Sequence, residues 1–567
     1  MKTRKLDNID RATVVLPDEG PVQAVDGASS TSVSESAGTV SAAGGVGRRL
    51  ALNTAIVGGA FIISRILGLV REAVIAGQFG ASDQIDAYKA AFNIPDTLFL
   101  LIIGGAVGSA FIPVFTSLLS KQHEREAWHL TSTLINASVV LLSVGGILLG
   151  FAAPLVVGTV LYPGGTAQQQ EVIVNLTRIM LLSPLFLGLG GWAMGILNAR
   201  QHFTLPALAP IFYNVAIIVS AIFLAPVMGV YGLAWGVVAG ALLHFGVQVP
   251  GLLRAGMRYS MRLNLRDEGV GKVGKLILPR IMGQAAFQAN IIVMSRIASF
   301  LVAGSLAAFN YAYMIMILPH GVFAMSLATV TFPTMSAQFA EGKLDAMRNT
   351  LARAVKVLIF LTVPSAVGMF LLRSELVASL FQLKAFGVDD TQRVASVLGY
   401  FAFGLVSYAV VEVITRAFYA LQDTATPVVV SVVTVLINLG LATVLALGMG
   451  MNADGLALSL AITTSLELVL LWVLLGRKLP GWRLTSDNLL LSIGRSCAAS
   501  LVMGLVLFFL LPALQLIFPS SGKLEAIVLL ASGIVVGAGV YLIVARLLGS
   551  EEVEQATGLL LRRFRRA

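Results

Sequence analysis

Apolar positions in this chain do not alternate with polar ones. They gather into long runs that recur from residue 50 to residue 548. Each run reaches the ~20 residues that an α-helix needs to cross a bilayer. About fourteen spans are predicted, centred on residues 50–79, 84–119, 128–160, 170–197, 205–227, 230–253, 272–302, 305–338, 348–372, 392–420, 426–448, 452–476, 488–513 and 524–548. The fold class is therefore an all-α polytopic membrane protein. Ahead of the runs, residues 1–47 are polar and rich in Ser, Gly, Ala and Thr. Such a composition cannot bury enough apolar surface to offset its ordering entropy, so a disordered tail is predicted. It lacks the short apolar core and cleavage site of a signal peptide.

The first run is where polar positions break the pattern. In SRILGLVREAVIAGQFGASDQID, Arg65, Arg71 and Glu72 lie well inside a spanning stretch, and Asp86 opens the next one. A guanidinium at membrane depth costs at least ~2.5–3.5 kcal/mol. It is tolerated where it faces water, a partner charge or an anionic ligand. Arg65 and Arg71 stand roughly 9 Å apart along a helix and about 120° apart around it. Two levels on two adjacent faces fit the wall of a cavity. The alternative is that Arg71 pairs with Asp86 while Arg65 snorkels to an interface.

Composition supports the membrane reading: 57% of residues are hydrophobic and 12% charged, against about 25% charged in soluble domains. The net charge of +10 is then a matter of topology before it is a nucleic-acid signal. Cys497 is the one cysteine and the five histidines are scattered, so no disulfide framework, metal site or cofactor is expected. With the N-terminus inside, the inner connections carry Lys121, Arg125, Arg200, Arg254, Arg258, Arg262, Arg266, Lys272, Lys275, Lys343, Arg348, Arg477, Lys478 and Arg483, and the tail RRFRRA ends inside as well. The outer loops near 80, 163, 228, 303 and 450 carry almost no Lys or Arg; loop 373–393, with Arg373, Lys384 and Arg393, is the exception. This asymmetry predicts an even number of spans and two cytoplasmic termini.

The runs also repeat. Arg65-Ile-Leu-Gly68 is echoed by Arg280-Ile-Met-Gly283, Pro95 and Phe111-Ile-Pro113 by Pro319 and Phe332-Pro333, and Ala199-Arg-Gln-His-Phe-Thr-Leu-Pro206 by Ala420-Leu-Gln-Asp-Thr-Ala-Thr-Pro427. Six spans separate matched elements, so the copies run the same way across the membrane and usually enclose a midplane site. The predicted organisation is a six-helix lobe at 48–255, a basic cytoplasmic linker at 256–269, a second six-helix lobe at 270–478, two further helices at 479–548 and a basic cytoplasmic tail at 549–567. The copies differ in charge: the position matching Arg71 is Ala286, and the second lobe offers Gln284, Gln288 and Asn290 instead. A positive field on one side and hydrogen bonds on the other suit a dianionic or phosphate-bearing substrate rather than a cationic drug.

The blocks SRILGLVREAVIAGQFGASDQIDAY, FNIPDTLFLLIIGGAVGSAFIPVF, GILNARQHFTLPALAPIFYN, LPHGVFAMSLATVTFPTMSAQFA and RAFYALQDTATPV resemble the MurJ (MviN) lipid II flippases of the multidrug/oligosaccharidyl-lipid/polysaccharide exporter superfamily. The resemblance runs from about residue 50 to at least 480, in the family's order. It implies fourteen helices, a non-enzymatic transporter of the bacterial inner membrane, and export of the undecaprenyl-diphosphate-linked peptidoglycan precursor. It also implies a groove for the lipid tail formed with the last two helices. Carried over residue by residue, it assigns Arg65, Arg71, Glu72, Asp86 and Arg178 to the substrate site, beside Gln284 and Gln288 from the asymmetry above. The expected partners are the lipid-linked precursor and membrane lipids, with cell-wall synthesis proteins as further candidates, for a monomer that binds no nucleic acid. Two arginines common in the family are missing, since Phe99 and Leu100 and, further on, Met314 stand there; Arg178, Arg296 and Lys89 are the candidate substitutes. The alternatives are a multidrug or polysaccharide-lipid exporter of the same superfamily, a non-transporting scaffold, and a membrane-embedded enzyme on polyprenyl lipids. The enzyme reading lacks a motif, because Asp389 and Asp390 have no His or basic companion. Glu412, Asp423 and Glu467 are candidates for cation coupling, with pairing to Arg416 expected for Glu412.

Overall fold

Helix follows from the apolar runs because a backbone in lipid must satisfy its own hydrogen bonds. In the computed structural model the backbone is described at residues 39–104, 111–261, 263–264, 266, 268–482, 488–517 and 522–553, and side chains at the same residues except 39–56, 268, 276–287 and 517. The account below concerns the compact unit from Ala55 onward; of the unit Met1–Thr54, the structure describes the helical backbone from Thr39. The first half of the repeat comprises α1 (Thr39–Phe79), α2 (Asp83–Phe99), α3 (Ile112–Ser120), α4 (Glu124–Val156), α5 (Ala167–Met180), α6 (Ser183–Ala199), α7 (Thr204–Phe223), α8 (Ala225–Met228), α9 (Val230–Gly246) and α10 (Val249–Arg254). The second half comprises α11 (Glu268–Ala298), α12 (Ser305–Pro319), α13 (Ser326–Ala340), α14 (Leu344–Leu371), α15 (Arg373–Phe381), α16 (Val388–Ala420), α17 (Ala425–Thr443) and α18 (Asn452–Lys478), and α19 (Leu489–Ile517) and α20 (Lys523–Leu547) follow. Among the described residues there is no β-sheet, only an isolated bridge between Leu383 and Phe386.

Eleven spans among the described residues are long and apolar enough to cross a membrane. The other three expected positions fall on α1, on α2 with α3, and on α11. There the apolar run is interrupted by charge, as at Arg65, Arg71 and Glu72, or extends beyond the described residues. Exposed apolar side chains such as Phe151, Val227 and Leu516, at 79%, 84% and 84%, are at home in a lipid-facing position.

The two halves repeat in backbone detail. Pro95 in α2 precedes a π-helical turn at Leu100–Gly104, and Pro319 ending α12 precedes one at His320–Met325. Proline removes a helical hydrogen bond, and a π turn is one way the freed groups are re-satisfied within a membrane. Left-handed turn residues also recur in matched loops: Gly80 and Gly304, Gln122 and Gly342, Gln201 and Gln422, Gly229 and Gly450. Gln201 and Gln422, with φ of 61° and 60°, are the third residues of the two echoed blocks. After Gln422, Asp423 accepts the Thr426 amide at 3.0 Å and pairs with Lys478. Burial alone would raise this carboxyl, but the bonds from Lys478 and Thr426 outweigh it and pull it down to about 2.

Loop bonds sort the molecule into two ends. At one end they cross between halves: Ala385 N–H to the Gly77 carbonyl at 3.0 Å, Gly164 N–H to Ser299 Oγ at 3.0 Å, and Ala81 N–H to Asp390 Oδ2 at 3.2 Å. At the opposite end the bonds among the described residues do not cross between the halves. Arg200 meets Glu124, the linker's Ser260 N–H meets Ser132 Oγ at 3.1 Å, and Arg348 meets the Pro480 carbonyl. The halves are thus fastened together at one end.

Candidate functional site

The charges that interrupt the first span come together with residues far along the chain. Glu72, 5% exposed, uses both carboxylate oxygens: Arg71 Nη2 donates to Oε1 at 2.9 Å and Lys89 Nζ to Oε2 at 2.6 Å. The second arm of Arg71, Nη1, donates to Asn214 Oδ1 at 3.1 Å. Asn214 on α7 is held in turn by donating to the Pro210 carbonyl at 3.0 Å and, more weakly, to the Ser64 carbonyl at 3.4 Å. A guanidinium fixed at both arms keeps its plane and its remaining N–H groups aimed in one direction. Arg65 is exposed, its guanidinium carbon 5.3 Å from the Phe61 ring centroid. Its Nη1 lies 4.0 Å from where a Cβ on Gly321 would stand, so it faces the second half.

Asp86 does not pair with Arg71. Almost fully buried, it accepts the Gly304 N–H at 2.8 Å and the Ala307 N–H at 2.7 Å. These are amides at the start of α12, where unpaired N–H groups and the helix dipole favour a carboxylate. The pairing with Arg71 that sequence spacing allowed is replaced because Arg71 has Glu72 beside it, and Asp86 meets donors from the other half. Below it a seam continues between α2 and α11: Asn93 Nδ2 donates to Ser295 Oγ at 2.7 Å, and Gln288 Nε2 is shared between Asp96 Oδ2 at 3.4 Å and Thr97 Oγ1 at 3.3 Å. From Asp86 to Thr97 the seam runs roughly 16 Å along α2.

The other residues named from the sequence lie apart from the Arg71 cluster. Arg178 Nε donates to the Gly150 carbonyl at 3.0 Å and lines a groove of about 690 Å³ with Ile147, Phe151 and Leu185. Arg296 binds the Thr159 and Val160 carbonyls. Gln288 sits in the seam, 3% exposed, and the side chain of Gln284 lies outside the described residues. Phe99 and Met314 are apolar and pack partly buried against the core. Glu412 pairs with Arg416 at 2.9 Å, and Glu467 accepts from Ser431 at 2.5 Å. Asn214 and Asp96 were missed in the sequence; a lone amide or acid in an apolar run was the available signal. Asn214 has a structural counterpart: Asn438 on α17 donates to Asn290 on α11 at 3.3 Å. The same inter-helix contact thus holds a cation in the first half and a neutral amide in the second.

Two apolar cavities flank the last helices. One of about 420 Å³ between α12, α14, α19 and α20 is lined by Phe360, Pro364, Met503, Leu507, Gly533 and Tyr541. Another, of about 520 Å³ between α14, α16 and α19, is lined by Val367, Phe370, Phe403, Leu501, Gly504 and Phe508. An unbranched or prenyl hydrocarbon is the chemistry such walls accept.

The family model for lipid II flippase MurJ matches residues 75–532. The lipid II flippase MurJ of Burkholderia cenocepacia is 34% identical over 385 residues, covering 66% of this chain and 74% of its own length. The probable lipid II flippase MurJ of Vibrio cholerae serotype O1 is 30% identical over 396 residues, covering 68% of this chain and 75% of its own. Among solved structures, lipid II flippase MurJ in an inward closed conformation superposes with a TM-score of 0.72 at 25% identity, over 87% of this chain and 98% of its own. An inward-facing multidrug resistance MATE family transporter of the MOP superfamily superposes with a TM-score of 0.62 at 15% identity, over 75% of this chain and 96% of its own, a likeness of fold.

Proposed function

This chain belongs to the lipid II flippase MurJ family, and from that premise we propose that it carries the undecaprenyl-diphosphate-linked peptidoglycan precursor across the bacterial inner membrane by alternating access. The observation that carries the reading is the cationic cluster of Arg71, Lys89 and Glu72, set at membrane depth between two repeated halves that, among the described residues, are bonded together at one end and along the α2–α11 seam. Residues 48–255 and 270–478 are the moving lobes, and the bonded end is the outer face. Arg65 and Arg71 hold the diphosphate while the prenyl tail stays in lipid and in the groove of α14, α19 and α20. Arg178, Gln284 and Gln288 are at most secondary in this scheme: Arg178 is spent on a carbonyl and Gln288 on the seam. The protein works as a monomer on the lipid-linked precursor, with both termini in the cytoplasm. A cationic drug would meet like charge in this cavity, which speaks against the multidrug alternative.

The decisive experiment is rescue of precursor export in cells depleted of their own flippase. Export that stays blocked, with the protein present in the membrane at normal level, would overturn the proposal. Orientation is tested separately in a Cys497→Ala background. Met261, 89% exposed, replaced by cysteine should be shielded from impermeant thiol reagents in intact cells, and cysteine at the exposed Gln168 should label. Gly164 itself is unsuited, because a Cβ there would lie 2.5 Å from the Phe300 ring. Labelling at 261 from outside reverses the assignment of ends.

A further inference from the structure

The diphosphate reading leaves a deficit: Arg65 and Arg71 bring two positive charges, and Glu72, bonded to Arg71, cancels one of them. We propose that Lys89 is the third cation of the diphosphate site, with Glu72 the resident counter-anion from which an incoming phosphate takes it over. The inference rests on the proposed function and concerns which residues set its specificity.

The geometry is that of a site already built around a two-oxygen anion. One carboxylate bridges Arg71 and Lys89 through separate oxygens at 2.9 and 2.6 Å. The two free oxygens of a phosphodiester have nearly the same spacing as those of a carboxylate, so the same two cations can be bridged by one phosphate. Exposure decides which partner a visitor meets. The side chains of Lys89 and Arg71 keep 17% and 24% of their surface, and that of Glu72 keeps 7%. The cations are thus the more accessible groups, and the carboxylate is the more buried one. The Lys89 ammonium is also 5.8 Å from the Tyr311 ring centroid, on the second half, and 5.9 Å from that of Tyr88. It therefore sits where the two halves meet.

Charge points the same way. The bonded cluster of Arg71, Lys89 and Glu72 carries a single net positive charge, and Arg65 adds a second. A diphosphate esterified at both ends carries two negative charges, so occupancy neutralises the group. Without Lys89 the group would fall one charge short. The nearby acids are committed elsewhere: Asp86 to the α12 amides, and Asp96 to Gln288 in the seam. The other candidate cations, Arg178 and Arg296, are bound to backbone carbonyls of α4 and the turn after it, with no bond to the cluster among the described residues.

The test compares binding of the purified full chain to the diphosphate-linked precursor and to undecaprenol, which lacks phosphate, with thermal stability measured alongside. Lys89→Gln should lower the preference for the diphosphate lipid by roughly 10- to 150-fold, the worth of one hydrogen bond to a charged group. Lys89→Arg should keep most of it. Glu72→Gln, which frees both cations, should raise the preference. The separating step is to add Lys89→Gln in the Glu72→Gln background, where no unpaired carboxylate is left to disturb folding. A loss of preference there supports a direct role. An unchanged preference means that Lys89 only neutralises Glu72 and overturns the inference. If the wild-type chain binds both lipids equally, it is the diphosphate reading itself that fails.

Discussion

Arg71→Lys in the purified protein is expected to lose much of its affinity for the diphosphate-linked precursor although the charge is kept, and Arg71→Ala to lose more. Arg71 holds Asn214 with one arm and Glu72 with the other. An ammonium is a point charge on a flexible stem and cannot keep both bonds in that geometry while presenting a fork to a phosphate. Truncation to alanine also strands Asn214 Oδ1 and leaves Glu72 with Lys89 alone. Removing one partner from a desolvated charged contact costs about 2–5 kcal/mol, roughly 30- to several-thousand-fold in affinity. Arg65 provides the internal contrast. It is exposed and lies against the Phe61 ring, so Arg65→Ala should weaken binding with little effect on thermal stability. Arg71→Ala should lower both. Binding to the precursor and to undecaprenol, measured beside melting temperature, checks the pair. Equal affinity of wild type and Arg71→Ala would remove the arginine from the site.

The repeat, the spans and the unusual charge of α1 were readable in the sequence because each is carried by local composition or by motifs on one strand of text. The contacts that make the site were not. Arg71 and Asn214 are 143 residues apart, and nothing about an amide at residue 214 announces which cation it meets. Asp86 is the clearer case. Its partners are backbone N–H groups of Gly304 and Ala307, and a backbone donor has no residue type by which to be recognised. Acid–base spacing therefore offered Asp86 only Arg71, as the alternative to a cavity wall, and Glu72, next to Arg71 in the chain, takes that arginine instead. The same physics explains the span count. α1, α2 and α11 carry the charges and amides of the Arg71 cluster and the seam, and those groups break the apolar runs by which spans are found. Loop 373–393 looked like an exception to the charge rule. Its Asp390 instead fastens the bonded end by accepting the Ala81 N–H at 3.2 Å, and its Arg393 ties the Ala303 carbonyl within the second half.

That end supplies the second large effect. Asp86→Asn should weaken the closed end and shift the molecule toward separation of its halves there. The carboxylate accepts two N–H bonds across the gap, and an asparagine offers only one acceptor while turning its amide hydrogens toward the other donor. Hydrogen bonds to a charged group are worth about 1.5–3 kcal/mol, so the closed-to-open ratio should fall roughly 10- to 150-fold. Gly304→Ala should do more. Gly304 has φ +81°, and a Cβ there would stand 2.0 Å from the Ala81 carbonyl oxygen, an overlap that only separation of the α1–α2 turn from the α12 turn relieves. Spin labels at the exposed Gln168 and Asp389, one on each half, read the change as a longer distance distribution. An unchanged distribution in both variants would mean that the bonds at this end do not hold it shut. Because Asp86 and Arg71 share no partner, the losses of Asp86→Asn and Arg71→Gln in precursor export should add, to within about 0.3–0.5 kcal/mol. A double variant no worse than either single one would show instead that the two residues form a pair in some state of the cycle, and the clamp would have to be assigned to the bonds of Asp390, Ala385 and Gly164 across the halves.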